Sequence, residues 1–289
     1  MRKFFSAVWG ESEGVAEIRL IHQGPGRPAQ HFFDWPRQAD EVASFCSSKS
    51  GESHVYFGVC LRGEKAGGEK AARWSNAVWA DIDFKDYKGG EGEARKKIKD
   101  FPLKVSLAVH SGNGFHLYWV MREPWDLSVD EERRKLKAIN RAVAKAVGGD
   151  HVHDLARVLR VPGTLNVKVA PYVPCRVLVS RDDRYNPADF EGHLKIDDSP
   201  PPPQQPIQTG MLTLPKEIRD KVVDVARKIW VNGARHNVAL YLSGYLAKKG
   251  VSQVDVEQLI HGICYIAGDD DVSDRLHAVK ETFDAVRSG

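Results

Sequence analysis

The sequence predicts an α+β domain followed by an all-α one. Three observations carry this. Short β-rich runs alternate with helical periodicities upstream of residue 199, helical periodicity alone governs the chain after residue 210, and a proline run, Ser199-Pro200-Pro201-Pro202-Pro203-Gln204-Gln205-Pro206, separates them. Consecutive prolines remove backbone donors and favour an extended chain, so 199–210 reads as a linker between domains 1–198 and 211–289. A length of 289 residues agrees with two domains at ~150 residues each.

In chain order, a helix is expected over about Arg37 to Phe45, followed by a strand at Val55 to Val59 and another at Ala77 to Phe84. A charged helix is expected over about Glu91 to Lys99. Val105 to Val109 and Phe115 to Met121 are β-rich runs joined by a glycine-bearing turn, hence a hairpin. Ser128, three residues before Glu131, has the spacing of a capping box. Leu136, Ile139, Val143 and Val147 then follow at helical spacing until Gly148-Gly149 stops the helix. Arg176 to Ser180 closes the domain as a strand. Downstream, Ile218, Val222, Val225 and Ile229, then Val238, Leu242, Tyr245 and Leu246, then Val256, Leu259 and Ile263 predict a small helical bundle.

Composition excludes several classes. A hydrophobic fraction of 42% with 28% charged residues is that of a globular chain and rules out global disorder or collagen. No apolar run approaches the ~18 residues of a bilayer span. The stretch from Phe4 to Trp9 is too short for a secretory core, so a cytoplasmic protein with no membrane partner is expected. Cys46, Cys60, Cys175 and Cys264 show no CxxC spacing, which fits free thiols in a reducing compartment, and no structural zinc is expected. Residues 211–289 balance 11 basic against 11 acidic side chains, so the net charge of +3 lies upstream, where it permits a nucleic-acid partner without demonstrating one.

Three features carry chemistry. In Trp79-Ala80-Asp81-Ile82-Asp83-Phe84, strand alternation puts Asp81 and Asp83 on the face opposite Ala80, Ile82 and Phe84. Two carboxylates ~4 Å apart repel by about 4 kcal/mol at an effective dielectric near 20, a cost that divalent cations reverse. In His110-Ser111-Gly112-Asn113-Gly114-Phe115-His116, the glycine turn with Ser111, its amides and His116 suits phosphate oxygens. From Asp154 to Lys168, one acid leads into Arg157, Arg160, a Pro-Gly turn, and a strand on which Asn166 and Lys168 share a face. Singly, each has an ordinary structural explanation: a wet strand face, a structural histidine, a surface ion pair. Together in one domain they suit nucleotidyl transfer by two metals, with basic side chains neutralising the charge that develops.

At these residues the sequence resembles the archaeo-eukaryotic primase superfamily, specifically the primase-polymerases of plasmids, phages and CRISPR-associated loci. The resemblance covers about Tyr56 to Lys168. It implies an RRM-like catalytic core, with Asp81, Asp83 and Asp154 catalytic and holding two Mg²⁺ or Mn²⁺ ions. It further implies Ser111, Gly112 and His116 at the triphosphate, and Arg160, Asn166 and Lys168 at nucleotide or template. The C-terminal segment is similar to the helical domain that assists primer initiation in such enzymes, which makes Arg235 and His236 candidates for template or the initiating nucleotide, with Arg157 of the first domain a further candidate. The implied function is template-dependent primer synthesis and extension, with single-stranded DNA and nucleoside triphosphates as partners. No GxxxxGK[ST] pattern is present, so a helicase would act in trans or from a longer polypeptide.

Other classes stay open on sequence. His151-Val152-His153 is a His-hydrophobe-His pair of the kind used by rolling-circle initiators and relaxases, with Tyr172 and Tyr185 as available nucleophiles. That assignment leaves Asp81, Asp83 and the serine-glycine turn without work. A catalytically silent DNA-binding protein would bind single strands without turnover or a need for divalent cations. A sugar transferase using Asp-x-Asp lacks an obvious nucleotide-sugar domain.

Overall fold

The computed structural model describes residues 1–22, 28–150, 154–197, 212–231 and 233–288, and within these the chain forms two compact units, Met1–Pro200 and Pro201–Gly289. The proline run and the pair His151 and His153 fall outside the described residues. No described helix is long and apolar enough to cross a membrane.

The first unit is α+β. Its elements are α1 (Arg2–Trp9), β1 (Gly14–Ile21), β2 (Ala29–Trp35), α2 (Ala39–Ser48), β3 (His54–Gly58), β4 (Leu61–Arg62) and β5 (Ala72–Asp83). Then come α3 (Gly90–Asp100), β6 (Leu107–His110), β7 (Gly114–Asp126), α4 (Asp130–Val147), β8 (Val158–Arg160), β9 (Leu165–Asn166), β10 (Val173–Pro174), β11 (Arg176–Ser180) and α5 (Pro187–Glu191). Nine strands make one sheet in the order β11-β6-β7-β5-β4-β1-β3-β8, with β2 on the remaining flank of β1, and each pair in it is antiparallel. β9 and β10 form a separate pair.

Strand alternation sorts the central residues. The register Asp81↔His116↔Val109 places these three on one face, and Ala80↔Leu117↔Ala108 lie on the other. The first face is closed by α1, whose Phe4 meets Phe57 of β3 at 5.4 Å and Tyr118 of β7 at 5.6 Å between ring centroids. Phe5 stacks on Trp9 at 4.5 Å, and the Trp9 indole donates to the Gly58 carbonyl at 2.8 Å. Such aromatic pairs contribute about 0.5–1.5 kcal/mol each beyond their burial. Here they tie β3 to β7, strands that are not neighbours in the sheet. The short apolar stretch at the N-terminus is therefore a core helix, a role its length alone did not announce.

Two local expectations change. Helix α4 begins at Asp130 with Val129 as its N-cap, and no capping box forms. The Ser128 hydroxyl instead donates to Asp126 at 2.6 Å, while Asp130, Glu131 and Glu132 in the first turn complement the helix dipole. Helix α2 starts two residues later than expected and extends to Ser48.

The second unit consists of α6 (Lys216–Ala226), α7 (Arg235–Lys248), α8 (Gln253–Ala267) and α9 (Val272–Ser288) around Trp230, Leu246, Leu259, Ile263 and Phe283. Its polar centre is Asp269, 4% exposed, which accepts from the Trp230 indole at 2.9 Å and from Arg275 at 3.1 Å and pairs with Arg235 at 3.2 Å.

Candidate functional site

One polar cavity of about 150 Å³ gathers most of the residues singled out above. Asp81 and Asp83 of β5, Ser111, Gly114 and His116 of the β6–β7 hairpin, Arg160 of β8, and Asn166 and Lys168 after it all line the cavity. Tyr56 of β3 and Asp150 complete its polar lining alongside Asn113. Because β5 and β8 stand at separate places in the strand order, the sheet must curve to bring them together. On β4 and β1, which stand between them in the strand order, Arg62 and Glu17, both fully buried, meet at 2.8 Å, and Arg62 also donates to the carbonyls of Leu155 at 2.8 Å and Ala156 at 3.3 Å. Arg62 thus anchors the segment that carries Asp154 and Arg157 to the first β-hairpin.

The acids are not alike. Asp81 is pushed up to about 6, chiefly by burial, with Asp83 adding repulsion while Arg157 and Arg160 oppose it. Burial also works to raise Asp83, but the hydrogen bonds and charge of Lys85, whose ammonium lies 2.6 Å away, outweigh it and hold that carboxyl low. Asp150 is raised by burial and by the charges of Asp81, Asp86 and Asp83. Its amide donates to the Asp81 carbonyl at 2.8 Å, which is how the chain leaving α4 returns to β5.

Asp154 is placed differently from the expectation. Its carboxylate pairs with Arg157 at 2.6 Å, and it is absent from the cavity lining. Among the described residues no three His, Cys, Asp or Glu side chains form a group that could hold a metal ion. Lys85 takes one oxygen of Asp83, and Arg157 takes one of Asp154. The acid that shares the cavity with Asp81 and Asp83 is Asp150, two residues beyond the helix stop at Gly148.

His116 lies opposite Asp81 in the ladder, with its Nε2 3.7 Å from an Asp81 oxygen. Burial, reinforced by Arg160, pushes its imidazole down to about 3, so it is neutral at physiological pH. Its Nδ1 is buried and has no hydrogen-bond partner among the described residues. The turn beside it is held from both sides. The Asn166 amide donates to the Ser111 carbonyl at 2.9 Å, and the Phe84 amide donates to Asn113 at 2.9 Å. Gly112, at φ 106°, abuts Asn166. A Cβ on Gly114 would stand 1.8 Å from the Ile82 carbonyl, so only glycine fits there. Asn166 therefore positions the turn, a role its strand alternation with Lys168 did not disclose.

Two cavity neighbours escaped sequence reasoning. The Arg160 guanidinium sits 4.8 Å over the Tyr56 ring and meets the His54 Nδ1 at 2.8 Å. Burial and the charges of Arg160 and Lys168 lower the His54 pKa, which leaves Nδ1 free to accept. Both residues lie on β3, whose apolar pattern gave no sign of an aromatic platform. Arg235 and His236 are engaged within their own unit, Arg235 by Asp269 and His236 by Asp274 at 2.8 Å. Tyr185 donates to the Lys104 carbonyl and lies away from the cavity lining, so it does not serve a nicking centre there.

No family model matches the chain, and no curated protein matches it. Among solved structures the chain is similar to the AEP domain of the cyanophage S-2L primase-polymerase, at 16% identity over 63% of this chain and 90% of that one, with a TM-score of 0.46. It is also similar to the primase RepB′, at 11% identity over 96% of this chain and 94% of that one, with a TM-score of 0.44. The catalytic domain of RepB′ in complex with initiator DNA gives 11% identity over 63% and 87% and a TM-score of 0.43.

Proposed function

We propose that the chain is a template-dependent DNA primase-polymerase. The observation that supports this is one cavity that joins three carboxylates, Asp81, Asp83 and Asp150, with two cations, Arg160 and Lys168, and the Ser111–Gly114 turn. That combination suits a nucleoside triphosphate, whose phosphates seek the cations.

Asp81 and Asp83 would hold Mg²⁺ or Mn²⁺, the ions that the superfamily resemblance implies. Their donors are carboxylate oxygens, and Asp81 carries a buried charge that a cation relieves. Mg²⁺ commonly takes only one or two carboxylates and completes its shell with substrate phosphate and water, so the pair Asp81 and Asp83 suffices for one ion. Bound there, such a cation would supply Lewis acidity at the α-phosphate and would lower the pKa of the attacking hydroxyl.

The chain's own residues do the rest. Arg160, braced by Tyr56 and His54, neutralises the triphosphate together with Lys168. The neutral His116 donates Nδ1–H to a phosphate oxygen and so satisfies its buried nitrogen. Ser111 and the turn amides add donors that Asn166 holds in place. The primer 3′-oxygen bonds to the α-phosphorus, the α–β phosphoanhydride breaks, pyrophosphate leaves, and the hydroxyl proton passes to water. Single-stranded DNA serves as template, and a helicase in trans or in a longer polypeptide opens duplexes.

Incubation with a single-stranded template, labelled nucleotides of both sugar types and Mg²⁺ or Mn²⁺ tests the proposal. Labelled, template-dependent products are expected, and their absence with both metals overturns it. His116→Ala is expected to raise KM for the triphosphate about tenfold, the worth of one hydrogen bond to a charged group, with template affinity unchanged. An unaltered KM removes His116 from the triphosphate site.

A further inference from the structure

The face of β6 and β7 that turns away from the polar cavity is only partly covered. Between α3 and β11 lies a second cavity of about 460 Å³, floored by Ala108, Phe115, Leu117 and Val179 and walled on the α3 side by Ile98 and Phe101. Four cations ring it: Arg95 and Lys99 from α3, Lys104 just before β6, and Arg181 just after β11. Among the described residues no carboxylate lines it. Arg95 is paired with Glu91 at 2.6 Å and lies 4.9 Å over Phe115, whereas Lys99, Lys104 and Arg181 make no ion pair among the described residues.

An apolar floor with a cationic rim selects a ligand with a flat apolar body and negative charge. The placement of the rim narrows the class. Lys99 stands on the helix side and Arg181 on the edge-strand side, so the ligand carries charge on both flanks of its apolar body. A fatty acid or a free nucleotide carries charge at one end. A base within a strand has a phosphate before it and another after it. The volume lies in the 300–1,000 Å³ range of ligand cavities, roomy enough for one base and its sugar.

We propose that this cavity is a second binding site for single-stranded DNA, holding one base against the exposed Leu178 and its neighbour Val179 with its flanking phosphates on Lys99 and Arg181. It lies on the opposite sheet face from the cavity proposed for chemistry, so it extends the enzyme's hold on a strand away from the reacting end and goes beyond the function proposed above.

The test uses the full chain and a fluorescent oligothymidylate, with anisotropy read over a salt series in EDTA. Lys99→Gln combined with Arg181→Gln, both exposed positions, is expected to weaken binding and to make the slope of log affinity against log salt shallower by about 1.4, two phosphate contacts at ~0.7 each. An oligothymidylate carrying one photoreactive thymine is expected to crosslink within residues 95–108 or 178–181 of the wild type, and to lose that adduct in the double variant. An unchanged slope, or adducts confined to the polar cavity, overturns the proposal. Loss of the adduct on adding free thymidine triphosphate at equal base concentration, or on adding a fatty acid, assigns the cavity to those ligands and overturns it as well. Absence of primer synthesis would sink the enzymatic assignment and leave this adduct in place, so the two can fail separately.

Discussion

Asp81→Asn is expected to melt at a higher temperature than the wild type at neutral pH in EDTA, while losing primer synthesis altogether. The sign follows from the direction of the shift. The folded carboxyl titrates at about 6 against an ordinary 3.8, so the native state holds its proton more tightly than the unfolded chain does. Stability conferred by that proton is fully present below the unfolded value. It is lost as pH rises through about 6, above which the buried charge is a net cost. A difference of this size corresponds to at most about 3 kcal/mol, and nearer ~2 kcal/mol with partial exposure, since each pKa unit is 1.36 kcal/mol. Asparagine keeps the shape and removes the charge. At about 2–4 °C per kcal/mol for a domain of this size, the gain is readable by calorimetry. It should shrink toward about pH 4, where the wild-type carboxyl is protonated as well. A variant no more stable than the wild type at neutral pH would show that Asp81 carries no strain for a cation to relieve.

Arg62→Met is expected to cost about 3–5 kcal/mol, the scale for breaking a buried ion pair from one side. Glu17 keeps Arg19 and Gln30 as partners, which places the value toward the lower end, but the carbonyls of Leu155 and Ala156 lose a donor as well. Replacing both partners, with Glu17→Met added to Arg62→Met, should recover much of the loss, because an apolar pair leaves no isolated charge. Urea unfolding of the single and double variants measures both values. A single variant within 1 kcal/mol of wild type would mean that the buried pair contributes little to stability.

What could be read beforehand was what local periodicity controls. The β5 face bearing Asp81 and Asp83, the β6–β7 hairpin and its glycine turn, the body of α4 and helices α6, α7 and α8 of the second unit each follow from a two- or 3.6-residue repeat. What could not be read depends on contacts between distant segments. Asp150 reaches the cavity only because the chain leaving α4 bonds back to β5, and nothing in Gly148-Gly149-Asp150 announces a destination. His54 and Tyr56 become the brace of Arg160 only once β8 pairs with β3. Glu17 and Arg62 look like surface charges in strands of ordinary composition, and only tertiary structure shows them to be fully buried. Asp154 illustrates the converse, since a neighbouring arginine three residues away competes for a carboxylate that spacing alone leaves unassigned.

The charges lining the polar cavity differ in how firmly they are held. Asp81 and Asp83 ride on β5 where it pairs along its length with β7, whereas Arg160 belongs to β8, a three-residue strand at the margin of the sheet with β3 as its neighbour. Peripheral strands fray at far lower free energy than central ones. Detachment of β8 would therefore separate opposite charges while the strands bearing the carboxylates stay paired, and a bound polyanion, by bridging the two, would act as the clasp that keeps that margin shut.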